Sequence, residues 1–391
     1  MIINRPENEL LLCCATTFGG PEKVSRIGKL TQGGINWSHL IGMARRNGVM
    51  PLLYWNLKKI DFEAIPETVF KEICDEYRIN VIRNLMLTGR LFSLLDLFQD
   101  NDISCIPYKG PTLSVLAYGD IALRHFVDLD FIVHKNDVIR AKQLLLSEGY
   151  RPEYSLPRDQ EVAYLQHECE YNFFHDKTRM LIELHWGIVQ KYFSCHFDIN
   201  KLWTDLRPVS VLNRQVITVS PEPLLLILCL HHGAKHQWGS LGWICDIAQL
   251  VRVCENLNWD SVLDQAFRSG VNRILFLGLS LAKEMLGADI PNEVDKRLLE
   301  DRAIPPLAEE VQKQIFSVSE NMLRESERFL LHLRMRENLK DKAAYCLGRL
   351  FTSTQNDWPL LKLPTPLFPF YCLLRPFRLV KKFGRQALGL V

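Results

Sequence analysis

Apolar residues recur mostly at three- and four-residue steps from Pro66 to about Gln99, where Val81, Leu85, Leu91, Leu94, Leu95 and Phe98 mark one face. That spacing predicts a long helix with a single buried stripe. Leu40–Arg46 repeats the pattern on a shorter scale, so residues 1–100 read as a helical region. The pattern changes at Ile103. ISCIPY, Ile103 to Tyr108, predicts a strand; Lys109-Gly110-Pro111 breaks it; Thr112–Tyr118 predicts a short helix, Gly119-Asp120 a turn, and DLDFIV, Asp128 to Val133, a second strand. Asn136 is placed to cap a following helix and Gly149 to end it, with Val138, Ala141, Leu144 and Leu145 on its apolar face. NFFHDKTRMLIELHW predicts two strands joined at Asp176–Thr178, and Arg214–Ser220 another. From Pro221 to about Leu350 helix-like patterns return. The expected class is α+β: a small mixed β-sheet core over 101–220, between the N-terminal helices and a C-terminal helical region, 221–391.

Composition narrows the class without naming a function. The 391 residues are 47% hydrophobic and 24% charged, with a net charge of +2. A nucleic-acid-binding domain usually carries a strong basic excess, which is absent here, although Lys and Arg thicken between Arg375 and Gln386. The 11 cysteines are scattered, odd in number and without a C-x-x-C pair. Reduced thiols in the cytoplasm are the simpler reading. The N-terminus has no basic stretch followed by an apolar run, and no stretch reaches the roughly 18 apolar residues of a membrane span. Leu363–Phe377 is apolar and aromatic but broken by prolines. Packing on its own domain is favoured there; contact of 363–386 with a partner or a membrane surface is the alternative.

The chemistry gathers around Lys109-Gly110, Arg124, Asp128, Asp130 and Glu183. Side chains alternate along a strand, so Asp128 and Asp130 share one face while Leu129 and Phe131 take the other. Two like charges side by side repel, and a divalent cation removes the repulsion. Mg²⁺ takes one or two carboxylates together with substrate phosphates. In LIELHW, Ile182 and Leu184 are expected inside, with Glu183 and His185 opposite. A third carboxylate suits a site for two metal ions, which clamp the attacking and leaving oxygens of a phosphoryl transfer, and Glu183 is also a candidate base. Gly110 before a helix lets backbone approach a phosphate, Lys109 adds charge, and Arg124 can fork onto phosphate oxygens or pair with Asp128 or Asp130.

Other constellations say less. His232 and His236 stand four apart, but the sequence between them lacks the glutamate of an H-E-x-x-H zinc site. Lys235 and His236 are candidates for a helix closing over a nucleotide cleft; the plainer reading packs these histidines against backbone or acids such as Asp246. Trp186, Trp238 and Trp243 are expected in the core rather than stacked on a base. There is no G-x-x-x-x-G-K-[ST] loop, no G-x-G-x-x-G fingerprint and no G-x-S-x-G elbow.

Tyr108–Val133, YKGPTLSVLAYGDIALRHFVDLDFIV, followed by IELHW, resembles the uncharacterised nucleotidyltransferase-like family of the polymerase β-type superfamily. Gly48–Leu57 and His231–Ala248 carry the resemblance further. It implies a minimal nucleotidyltransferase core, with Asp128, Asp130 and Glu183 as catalytic metal ligands for Mg²⁺, two ions in the superfamily pattern. It implies an NTP such as ATP as co-substrate and an unspecified acceptor hydroxyl; the residues read above as candidates near the nucleotide are Lys109, Gly110, Arg124, Lys235 and His236. The superfamily usually has Gly-Ser where this chain has Lys109-Gly110-Pro111. Phosphate binding there falls to Lys109, or is altered or lost. Two other readings stand beside it: an Asp-x-Asp glycosyltransferase using a nucleotide-sugar, and a non-catalytic adaptor that keeps the fold.

Overall fold

The computed structural model describes residues 5–60, 65–193, 195–317, 325–352 and 370–387. Four helices, α1 (Pro6–Cys14), α2 (Pro21–Thr31), α3 (Trp37–Arg46) and α4 (Met50–Leu57), lead into α5 (Glu67–Asp100), which is 34 residues long. The expected long helix is present, and its buried stripe follows the expected one only in its C-terminal half. Leu91, Leu94 and Phe98 are buried, whereas Leu85 is 46% exposed and Asn80, Asn84 and Thr88 are buried instead. The amide of Asn80 donates to the Ala122 carbonyl at 3.0 Å, and that of Asn84 to Ile121 at 2.6 Å and Arg124 at 2.9 Å. The helix here packs on an irregular loop whose buried carbonyls need donors, so polar residues take the inner face.

The sheet runs β1-β2-β5-β4-β3: β1 (Cys105–Pro107), β2 (Asp128–Val133), β3 (Tyr150–Pro152), β4 (Glu170–His175) and β5 (Leu181–His185). β2 and β5 are parallel and the other neighbours antiparallel, a mixed sheet as expected. The helices α6 (Gly110–Tyr118), α7 (Val138–Ser147) and α8 (Arg158–His167) connect the strands. Gly149 ends α7 at φ +84°, a left-handed value that favours glycine. Asn136 does not cap α7; it lies within a 3₁₀ turn, Lys135–Asp137, that precedes the helix. A hairpin, β6 (Leu206–Val211) and β7 (Arg214–Val219), is tied to β1 by the Thr218 hydroxyl, which donates to the Pro107 carbonyl at 2.6 Å.

The sheet separates two apolar clusters. Leu129, Phe131, Val133, Phe173, Ile182 and Leu184 face a cluster that also holds Leu91, Leu94 and Phe98 of α5 and Ala141 and Leu145 of α7. Ile132, on the opposite face, joins a larger cluster with the N-terminal helices, α6 and the C-terminal helices. Those C-terminal helices begin with α9 (Pro221–Cys229) and continue through α10 (Leu241–Val253), α11 (Trp259–Ser269), α12 (Asn272–Leu286), α13 (Asn292–Glu300) and α14 (Ile304–Phe316). Next come α15 (Glu325–Arg334), α16 (Leu339–Phe351) and α17 (Tyr371–Ala387). Residues 363–369 of the proline-broken segment lie outside the described residues. In α17, Tyr371 and Arg375 are buried while Phe370, just before it, and Leu373, Phe377 and Val380 are exposed. Among the described residues no helix is long and apolar enough to cross a membrane.

Candidate metal and nucleotide site

Strand register builds the acid cluster. β2 and β5 run parallel with Asp130 directly opposite Glu183, and on the other side of β5 Glu170 of β4 lies opposite His185. Four side chains from adjacent strands therefore share the face with Asp128. The core-facing residues between them, Leu129, Phe131, Ile182 and Leu184, are at most 1% exposed, which pins the register: a one-residue slip would turn the acids into the apolar cluster and the apolar side chains onto the acid face. The turn into α6 brings Lys109 to the same place. Gly110 sits at φ +54°, and a Cβ there would lie 3.4 Å from the Asp128 carbonyl oxygen, so glycine lets the turn close against β2.

The charges interlock. The Lys109 ammonium pairs with Asp130 Oδ1 and lies 3.1 Å from His231 Nε2. His185 Nε2 lies 3.3 Å from both Asp130 Oδ1 and Glu183 Oε2, and its Nδ1 is 3.3 Å from Glu170 Oε2. Lys235 completes the ring, 2.7 Å from Glu170 and 3.3 Å from Glu183. Burial opposes charge on His185, but its bonds to Asp130 and Glu183 outweigh that and raise its pKa. Burial likewise opposes ionisation of Glu183; His185, Lys235 and Lys109 reverse it and hold the carboxyl well below its usual range. Burial, then Lys109 and Lys235, keep His231 neutral, so its Nε2 accepts from Lys109.

Asp128 is the exception. Among the described residues no cation pairs with it, and burial, then Asp130 and Glu183, push its pKa up to about 7 against the pull of Lys109 and Arg124. Asp130 Oδ2 is buried with no hydrogen-bond partner. A buried carboxylate oxygen left without a donor is costly, and a cation is the partner its chemistry asks for. Ligand atoms of Asp130, Glu183 and His185 lie within 4.8 Å of one another, close enough to share one ion. The donor set fits a divalent metal.

The remaining expected residues divide. Arg124 comes near Asp128 but turns its guanidinium onto Asp246, in two bonds of 2.7 and 2.9 Å. Asp246 also accepts from Tyr118 at 2.8 Å and lies 3.2 Å from His232, the acid partner expected for these histidines. The four-residue spacing of His232 and His236 does not put them on one α-helical face. After α9 the chain widens into a π turn, Leu230–Lys235, and Gln237 and Trp238 take positive φ. Gly233 permits it, since a Cβ there would meet the Trp238 ring at 2.9 Å. The turn aims His231 at Lys109, His232 at Asp246 and Lys235 at the acids. Trp186 and Trp238 are core residues, as expected. Trp243 instead walls a cleft, 5.7 Å from the His232 ring and 4.8 Å from that of His236. The cleft, about 380 Å³, runs from Asp128, Glu183 and Lys109 past Arg124 and Trp243 to Arg45 and Arg46. Sequence reasoning did not pick out Glu170; only its place opposite His185 gives it away.

A profile of the family described as uncharacterised nucleotidyltransferase matches residues 33–287, from α3 through the whole sheet to the end of α12. The chain belongs to this family. Nucleotidyl transfer is therefore the reaction class its membership supports. No curated protein and no solved structure matches the chain.

Proposed function

We propose that the protein transfers a nucleoside monophosphate from an NTP to an acceptor hydroxyl, with Mg²⁺ held by Asp128, Asp130 and Glu183. The observation that carries this reading is the Oδ2 of Asp130, buried beside Glu183 and Asp128 with no hydrogen-bond partner among the described residues. Two Mg²⁺ ions, when bound, would neutralise the charge developing on the phosphates. The acceptor oxygen forms a bond to the α-phosphorus, the bond to pyrophosphate breaks, and the hydroxyl proton leaves to a base. Glu183 serves this reading as a ligand rather than as the base, because His185 and Lys235 hold it ionised at low pH. Lys109 and Lys235 supply positive charge beside the phosphates, the Gly110 turn brings backbone close, and His236 with Trp243 offers a flat wall to the base. Arg124 acts from behind, fixing Asp246 and through it His232.

A glycosyltransferase would gain support from a Glu183 remote from the Asp pair; its place opposite Asp130 favours the nucleotidyltransferase. A nucleotide-using enzyme of this kind suits the cytoplasm, and the exposed Phe370, Leu373, Phe377 and Val380 are the surface that partner or membrane contact would use. The test is calorimetry with each NTP, with and without Mg²⁺, on the parent and on Asp128→Asn/Asp130→Asn. Mg²⁺-dependent NTP binding that the double variant loses is the expected result. Binding of nucleotide-sugars alone would move the assignment to the glycosyltransferase. A folded protein that binds neither is an adaptor.

A further inference from the structure

On the other side of Lys235 lies a second cavity, about 260 Å³, lined by Gln190, Tyr192, Phe193, Lys235, Arg328, Phe329, His332, Tyr345 and Arg349. Its charges are all of one sign. Lys235 is committed to Glu170 and Glu183. Arg328 and Arg349 meet no carboxylate among the described residues; the Nε of Arg328 donates only to the Gln237 side-chain oxygen, at 3.0 Å. Behind the aromatic wall a third guanidinium, Arg336, is 3% exposed and lies over the rings of Phe193 and Tyr345, at 5.5 and 5.4 Å. Its Nε has no hydrogen-bond partner. The field is felt by His332, whose pKa burial and then Arg336, Arg349 and Arg328 push down to about 3.

Arg336 has Asp341 and Glu337 nearby and does not line the cavity; the two guanidiniums that do, Arg328 and Arg349, pair with no carboxylate among the described residues, and an anion from solution is the natural compensation for them. The walls limit what that anion carries. Phe193 and Tyr345 rings lie 6.0 Å apart, Phe329 stacks on Tyr345 at 5.5 Å, and Arg349 covers Tyr192 at 5.2 Å. The space exceeds a lone ion, holding the volume of roughly nine waters. Two guanidiniums with no carboxylate of their own among the described residues suit a dianion better than a single carboxylate.

We propose that this cavity binds a small organic phosphate monoester, its phosphate on Arg328 and Arg349 at the Lys235 end of the cavity and its flat or apolar body among Phe193, Phe329 and Tyr345. The site meets the acid cluster only at Lys235 and does not depend on the nucleotidyltransferase reading. Lys235 links the two, because a phosphate at its end of the cavity competes with Glu170 and Glu183 for its ammonium.

The probes are phenyl phosphate, inorganic phosphate and benzoate, titrated into the full-length protein without Mg²⁺ and followed by calorimetry and by the His332 imidazole resonances. Phenyl phosphate is expected to bind at least tenfold more tightly than either fragment and to shift the His332 signals. Arg328→Gln/Arg349→Gln should lose tenfold or more, and Asp128→Asn/Asp130→Asn should keep full affinity. Phe329→Leu, a milder change, guards against a double variant that fails to fold and should weaken phenyl phosphate but not inorganic phosphate. Absence of phenyl phosphate binding overturns the proposal. So does binding that survives loss of both arginines, or that disappears with the two aspartates.

Discussion

Replacing Lys235 with methionine keeps an unbranched side chain one atom shorter and removes the ammonium with its charge and donors. The ammonium is 2.7 and 2.8 Å from the two Glu170 oxygens and 3.3 Å from Glu183, and the three side chains are only 11–15% exposed. At an effective dielectric of about 20, one contact at this distance is a gross attraction of about 6 kcal/mol. The cost of desolvating lysine cancels a large part, and breaking such a pair from one side typically costs about 3–5 kcal/mol because the other charge is stranded. We therefore expect Lys235→Met to lose about 3 kcal/mol, read as the shift in the urea midpoint multiplied by the slope. Adding Glu170→Gln should restore much of it, giving a coupling of about 2–3 kcal/mol in the double-mutant cycle. Mg²⁺ should stabilise Lys235→Met more than the parent, since the cation compensates the acids that lysine leaves. A coupling below about 0.5 kcal/mol, the worth of an exposed pair, would refute the view of Lys235 as a fixed internal counter-ion.

The pH dependence should carry the mark of His332. Its folded pKa is depressed from 6.5 to about 3, so the unfolded chain takes up a proton first. The associated stability is present above pH 6.5 and is lost as pH falls toward 3, by at most about 5 kcal/mol. Urea unfolding between pH 7 and 4 should show a shallower loss in His332→Gln than in the parent; parallel profiles would contradict the assignment. On α5 the inner face should respond in the opposite sense to its hydrophobicity. Asn84→Leu strands the Ile121 and Arg124 carbonyls and should cost about 2–3 kcal/mol. Leu85→Glu, at a 46% exposed position, should stay within about 0.5 kcal/mol in the same denaturation assay.

That contrast marks where the sequence could be read and where it could not. The strand patterns of DLDFIV and LIELHW are local, and their alternation named both the core residues and the acids facing away from them. The register that sets Asp130 beside Glu183 is not local, but two hydrophobic faces admit few alternatives. β6 and α8 passed unnoticed because Leu206–Val211 has polar and proline positions inside a marginal strand, and Arg158–His167 has almost no apolar stripe. The middle of α5 misled because a helix against a loop buries donors. The α-helical spacing assumed for His232 and His236 failed because the π turn depends on Gly233 yielding to Trp238, a contact made only in the folded chain.

The Lys109-Gly110-Pro111 turn bears most on the metal count. Where Gly-Ser would offer a neutral hydroxyl, this chain inserts an ammonium, and it turns inward onto Asp130 rather than out to solvent. Asp128, Asp130, Glu183 and Glu170 bring four negative charges to the cluster; Lys109 and Lys235 return two; Arg124 is spent on Asp246. With Asp128 kept ionised by a bound cation and His185 neutral beside it, two negative charges remain, enough to balance one divalent cation and too few for two. A second ion must then draw its compensating charge from the triphosphate. The protein without nucleotide should accordingly bind a single Mg²⁺, and the complex with a non-hydrolysable NTP two, when the stoichiometry is read by calorimetry. Lys109→Ser, which makes the turn neutral, should raise affinity for the first ion by removing the competing ammonium. Two ions bound without nucleotide, or a first ion weakened in Lys109→Ser, would refute this charge balance.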